Sequence, residues 1–194
     1  LIYDFETLSQ RPEEGVAVCI AALNYDSGRF SSDNPYTYQE LVDMCGFMKF
    51  DVQEQVSKYG RTIQKSTLDW WKKQGAEARK LLQPSDEDQS IENLYDFYVN
   101  KHLATKVKRI YTRGNTFDPV FMGSLFKSLG FEDPTPWWVI RDTRSYIDGL
   151  TVDTVSDKFI PDDIKDKFVA HDPMHDIAMD VYRIQYIIRM VLDK

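Results

Sequence analysis

The chain is poor in cysteine, short of positive charge and without any long apolar run, and each shortage excludes a class of protein. Two cysteines, Cys19 and Cys45, in 194 residues form neither a metal-binding spacing nor a disulfide framework. Buried thiols in a cytoplasmic protein are therefore the expectation. No apolar stretch approaches the roughly 20 residues that a bilayer requires, and no basic-then-apolar leader precedes the first element, so no membrane partner is expected. Leu1 rather than Met opens the chain, which reads as trimmed at that end. Lys and Arg number 24 against 31 Asp and Glu, a net charge of −7. That balance argues against holding long nucleic acid by bulk electrostatics. It does not argue against an enzyme that grips one chain end through cations, because acids used as ligands count toward the total. Internal repeats and linkers are missing too. With 42% apolar and 13% aromatic residues, residues 1–194 are expected to build one domain around a substantial core.

What is present begins with Leu1-Ile2-Tyr3-Asp4-Phe5-Glu6-Thr7, a buried strand by its apolar and aromatic content. Residues two apart on a strand share a face, so Asp4 and Glu6 project side by side. Adjacent carboxylates repel unless something positive lies between them, and a hard divalent cation with oxygen ligands is the usual neutraliser. A strand end with both acids in water is the other reading of this stretch.

Val16 to Tyr25 reads as a second buried strand, and Tyr25 to Phe30 as a turn into a further strand with Gly28 in the left-handed position. Tyr38 to Gln55 mixes helix and strand signals, with Phe47 to Val52 alternating. Ser66 and Asp69 read as a capping box opening a helix. Trp70 and Trp71 follow; adjacent helical residues diverge by about 100°, so one packs inward and the other is partly exposed, where it would offer a stacking surface for a base. From Ser90 to Leu103, Ile91, Leu94, Tyr95 and Tyr98 recur at helical spacing, and His102 is a C-terminal residue of that helix. Val107 to Thr112 is a short strand. Asp118 and Pro119 read as cap and first residue of a helix closed by Gly130. Trp137 to Ile140 is read as a strand, Asp142-Thr143-Arg144 as a helix start, and 148–167 as loop-rich. Pro173 to Leu192 is a long helix whose Ile177, Val181, Ile184, Ile188 and Val191 form a core stripe. Strands first, then strands alternating with helices, give an α/β fold with a mixed sheet.

Four acids sit where elements meet: Asp4, Glu6, Asp118 and Asp176. Singly, Asp118 is explained as a helix cap and Asp176 as an acid favoured near a positive helix end. Their order is more specific. Asp4-Phe5-Glu6-Thr7, then Asn115-Thr116-Phe117-Asp118, then His171 followed five residues later by Asp176 resembles the DEDDh superfamily of 3′→5′ exonucleases. Lys65-Ser66-Thr67 with Trp70-Trp71, Pro84 to Asp88, Arg113-Gly114-Asn115 and Val169 to Asp172 extend the likeness over nearly the whole chain. In these segments it resembles the single-strand DNA exonucleases of T4-type bacteriophages and related bacterial exoribonucleases.

The resemblance implies a ribonuclease-H-like fold, a central mixed β-sheet flanked by helices with acids gathered at one end. It implies hydrolysis of single-stranded DNA from its 3′ end to mononucleotides, with two divalent cations, Mg²⁺ or Mn²⁺, held by Asp4, Glu6, Asp118 and Asp176. Two-metal phosphodiester hydrolysis needs carboxylates that clamp both ions. By the same resemblance, Asp4 would be the bridging ligand, Glu6 and Asp176 would serve one ion, Asp118 the other side, and His171 would take the proton from the attacking water. Thr7, Leu8 and Asn115 are the substrate-binding candidates, with Leu8 as a wedge against the terminal base; local structure explains all three equally well. His175 with Asp180 repeats the spacing of His171 with Asp176. Position favours the earlier pair, because Asp172-Pro173 reads as cap and first helical residue, leaving His171 just ahead of the helix. RNA as substrate is the alternative, and a non-catalytic nucleic-acid-binding module, marked by a missing ligand, is the competing class. A phage-encoded chain would work in the host cytoplasm. Homo-oligomerisation is left open.

Overall fold

The computed structural model describes residues 1–152 and 156–192. Its strands are β1 (Ile2–Thr7), β2 (Ala17–Leu23), β3 (Gly46–Lys49), β4 (Ile110–Thr112) and β5 (Ile140–Asp142). Its α-helices are α1 (Tyr38–Asp43), α2 (Val52–Tyr59), α3 (Lys65–Trp71), α4 (Ala76–Lys80), α5 (Asp118–Ser128), α6 (Thr143–Thr151) and α7 (Pro173–Leu192). The strands form one sheet in the order β3-β2-β1-β4-β5. β1 and β2, and β2 and β3, run antiparallel, while β4 and β5 continue parallel to β1. This is the mixed, helix-flanked α/β sheet that the order of elements implied.

The alternation in β1 divides the molecule. Tyr3 and Phe5 face a cluster with Tyr98, Phe121, Phe126 and Leu125, so α5 and the 95–103 segment cover that side. Ile2 faces the other way, with Ile177, Val181 and Ile184 of α7. Asp4 and Glu6 share Ile2's face by the two-residue period. With both faces covered, β2 is buried along its whole length, as central strands must be. A third cluster joins Leu8, Val16 and Val18 to Trp71 and Ala78.

Several local expectations are corrected. No strand follows Tyr25: Ser27–Ser31 is a short 3₁₀ turn whose Gly28 N–H is capped by Asp26, and Gly28 is not left-handed. Phe30 there stacks on Tyr25 with ring centroids 5.5 Å apart and joins the core cluster of α7, and this burial overrides the turn signal. Ser66 and Asp69 make no capping box. α3 starts after Gln64 without a side-chain cap, and Asp69 pairs with Lys65 and Lys72. The regular helix expected at 90–103 is a 3₁₀ turn, Ile91–Asn93, and a π-helical segment, Tyr95–Leu103. The wider turn buries the neighbours Phe97 and Tyr98 together and leaves Tyr95 at the surface. Trp137–Val139 is a 3₁₀ turn with both tryptophans exposed, and β5 begins only at Ile140. α7 has its expected bounds and buried stripe; the side chain of Val191 and residues 153–155 of the expected loop lie outside the described part.

Candidate active site

β1 carries two acids into the interior because its even-numbered positions look toward the start of α7. Glu6 is 9% exposed, and the register slips between Glu6 and Thr7, so the strand bends where the acids end. Asp118 enters from the neighbouring β4–α5 connection. It is the first residue of α5 rather than its cap, since Phe117 takes the cap position and makes no side-chain cap bond. Its carboxylate, 3% exposed, accepts the Phe5 N–H at 3.2 Å, which ties it to the backbone between Asp4 and Glu6. Asp176 lies in the first turn of α7. That turn is set by Asp172, whose Oδ1 accepts the N–H groups of Met174 and His175, with Pro173 as first helical residue.

Just ahead of the helix, His171 has φ 63°, a left-handed conformation that costs a non-glycine residue about 1–2 kcal/mol. The bend lets its N–H reach Asp176 Oδ2 at 3.1 Å. A ring nitrogen of His171 and carboxylate oxygens of Glu6 and Asp176 all lie within 4.8 Å of one another. Trp70, 40% exposed, meets the His171 ring edge-on at 4.8 Å between centroids. Its neighbour Trp71 is buried and donates from Nε1 to the Thr7 carbonyl at 2.9 Å. The divergence of the two tryptophans thus follows the helical geometry.

No lysine or arginine among the described residues forms an ion pair with Asp4, Glu6, Asp118 or Asp176. Burial, then the charges of neighbouring acids, holds Asp4 and Glu6 well above the usual carboxylate range. Burial lifts Asp118 to about 7, with the Phe5 N–H and Arg144 opposing. Asp176 is also raised to about 7, by burial and then by Asp180. Four carboxylates brought together without a cationic partner are a hard-oxygen donor set, and they fit a divalent cation. Burial lowers the pKa of His171, which favours the neutral ring.

A family model described as the 3′-5′ exoribonuclease Rv2179c-like domain matches residues 1–188. The chain belongs to this DEDDh-type 3′–5′ exonuclease family. Within curated proteins it is 32% identical to the exodeoxyribonuclease of Enterobacteria phage T4, over 98% of this chain and 89% of the relative. The zinc-bound complex of E. coli exonuclease I with single-stranded DNA shares the fold, with a TM-score of 0.57 and 16% identity. That match covers 97% of this chain, which spans only 40% of the exonuclease I chain.

The second histidine–aspartate pair of this family member is engaged in other bonds. His175 Nδ1 shares a hydrogen bond with the Tyr38 hydroxyl at 2.8 Å. Asp180 is occupied on both oxygens, by Arg113 at 2.8 Å and Arg183 at 2.9 Å on one and by the Thr143 hydroxyl at 3.0 Å on the other. Of the substrate candidates, Asn115 is exposed and its Oδ1 accepts the Thr112 hydroxyl. The Thr7 hydroxyl donates to the Ser9 carbonyl, and Leu8 is packed into the third core cluster at 5% exposure. Leu8 as an exposed wedge finds no support in that packing. His102, as expected of a terminal helical residue, hydrogen-bonds Asn24 away from the acids. Arg113 entered the sequence reading only within the likeness segment Arg113-Gly114-Asn115 and Arg144 only within a helix start, since nothing local says which charges a fold will gather.

Proposed function

We propose that this chain removes mononucleotides from the 3′ end of single strands, DNA in preference to RNA, using two divalent cations, Mg²⁺ or Mn²⁺. Asp4, Glu6, Asp118 and Asp176 would hold the ions, which when bound supply charge stabilisation to both the attacking and the departing oxygen. His171 is the general base. Its neutral ring nitrogen takes a proton from water as the water oxygen attacks phosphorus; the bond to the 3′ oxygen breaks, that oxygen takes a proton from solvent water, and the imidazolium returns its own proton to solvent. A nucleoside 5′-monophosphate and a strand shortened by one unit result. Glu6 and Asp176 stand beside His171, within 4.8 Å, so the base would work next to the ions they would hold. Trp70 braces the ring and offers its exposed face to the terminal base.

The observation that carries this reading is the approach of Glu6, His171 and Asp176 to within 4.8 Å, beside the half-buried Asp4 and the buried Asp118. The preference for DNA is supported by identity to the phage T4 exodeoxyribonuclease; the family's description as exoribonuclease supports RNA as the second reading. End-labelled single-stranded DNA, RNA and duplex DNA, digested side by side with Mg²⁺ and with chelator, test both. Single-stranded DNA shortened from an unblocked 3′ end only in the presence of metal is the expected result. Faster loss of RNA establishes the second reading, and hydrolysis undiminished by chelator removes the metal-dependent mechanism.

A further inference from the structure

A site built from four acids must admit a polyanion, and the described residues place two arginines close enough to bear on that problem. Arg113 is spent: Nη1 holds Asp180 at 2.8 Å, and Nη2 holds the Asp157 carbonyl and carboxylate at 2.9 and 3.0 Å. Arg144 is not. It is the second residue of α6, directly after β5, and its side chain is 50% exposed. Among the described residues its ion pair is a long one, Nε to Asp157 Oδ2 at 3.8 Å, to an oxygen that Arg113 already holds. Nη1 lies 3.9 Å from where a side chain on Gly114 would begin, so the guanidinium hangs over the turn leading to Asp118, whose charge it favours.

We propose that Arg144 is a substrate-binding residue that holds a backbone phosphate of the strand beside the acid cluster. Its planar fork matches two phosphate oxygens. Releasing Asp157 costs little, because a half-exposed pair at that distance contributes little, and Asp157 keeps Arg113. Gly114 matters for the same reason: at φ 138° it has no side chain between Arg144 and the Asn115–Asp118 turn. This assignment rests on the exonuclease reading above and adds a specific contact outside the acid cluster.

Anisotropy of a labelled oligonucleotide, with Ca²⁺ as the cation and a salt series, tests it in the parent chain, Arg144→Ala and Arg144→Lys. Loss of one phosphate contact is expected to weaken binding about tenfold and to flatten the slope of log K against log salt by about 0.7. Arg144→Lys should restore the slope, since it keeps the charge, but only part of the affinity. In steady-state turnover the loss should fall on KM. Unchanged affinity and slope in Arg144→Ala, or a loss confined to kcat, would overturn the proposal. Melting temperatures of both variants separate these outcomes from misfolding. If the parent itself neither binds nor shortens DNA or RNA, the functional reading fails first, and the two failures are told apart.

Discussion

Each buried acid of the cluster is more at ease protonated than charged, and this sets its contribution to stability. A carboxyl whose folded pKa lies above its unfolded value, near 4, binds more protons when folded. It favours the fold fully below about pH 4 and loses that contribution as pH rises through the folded value. For Asp118 and Asp176, both raised to about 7, the window is roughly pH 4 to 7. The metal-free protein should therefore melt at a higher temperature at pH 5 than at pH 8. Calorimetry in chelator should show Asp118→Asn raising the melting temperature at pH 8 and flattening the pH dependence, while abolishing turnover. The two histidines separate cleanly at this scale. His171→Ala should lower kcat by about 10²–10⁴-fold, the usual range for a lost general base. His175→Ala, which breaks a bond to Tyr38, should leave turnover intact and cost about 1 kcal/mol of stability. Parallel assays with Mn²⁺ and denaturant titrations measure both.

Among the elements, α7 does two jobs with one sequence. Its buried stripe seats it on the sheet, and its capped first turn delivers Asp176 toward Glu6. Asp172 is the pivot, because its carboxylate caps the helix while its neighbour His171 takes the left-handed bend. Asp172→Ala should destabilise the protein by about 1 kcal/mol. It should also weaken Mn²⁺ binding by calorimetric titration, since His171 and Asp176 lose their common support. Ile184, 1% exposed in the middle of the stripe, serves seating alone. Ile184→Ala should cost about 2–5 kcal/mol with metal affinity at the surviving fold unchanged.

For the whole molecule, the acid cluster is a point of stored repulsion that cation binding relieves. A ligand that binds only the folded state stabilises by about 2.7 kcal/mol at one hundred times its dissociation constant. Mg²⁺ or Mn²⁺ should accordingly raise the melting temperature, chelator should reverse the rise, and Asp4→Asn should remove most of it. No helix of the described residues is long and apolar enough to cross a membrane.

Periodicity was enough to read the even face of β1, the stripe of α7, the cap at Asp172 and the opposed directions of Trp70 and Trp71, because each depends on neighbours within one or two turns of chain. Tertiary packing decided the rest. Ser27–Ser31 coils because Phe30 finds Tyr25, and the 95–103 segment widens to bury two adjacent aromatics. Asp180, near enough to raise Asp176, is held by Arg113, Arg183 and Thr143, and Arg144 is left a long, 3.8 Å pair to an Asp157 oxygen that Arg113 holds at 3.0 Å. Arg113 is 67 residues from Asp180 and 44 from Asp157, so that contest is settled only where the folded chain brings the competitors within reach.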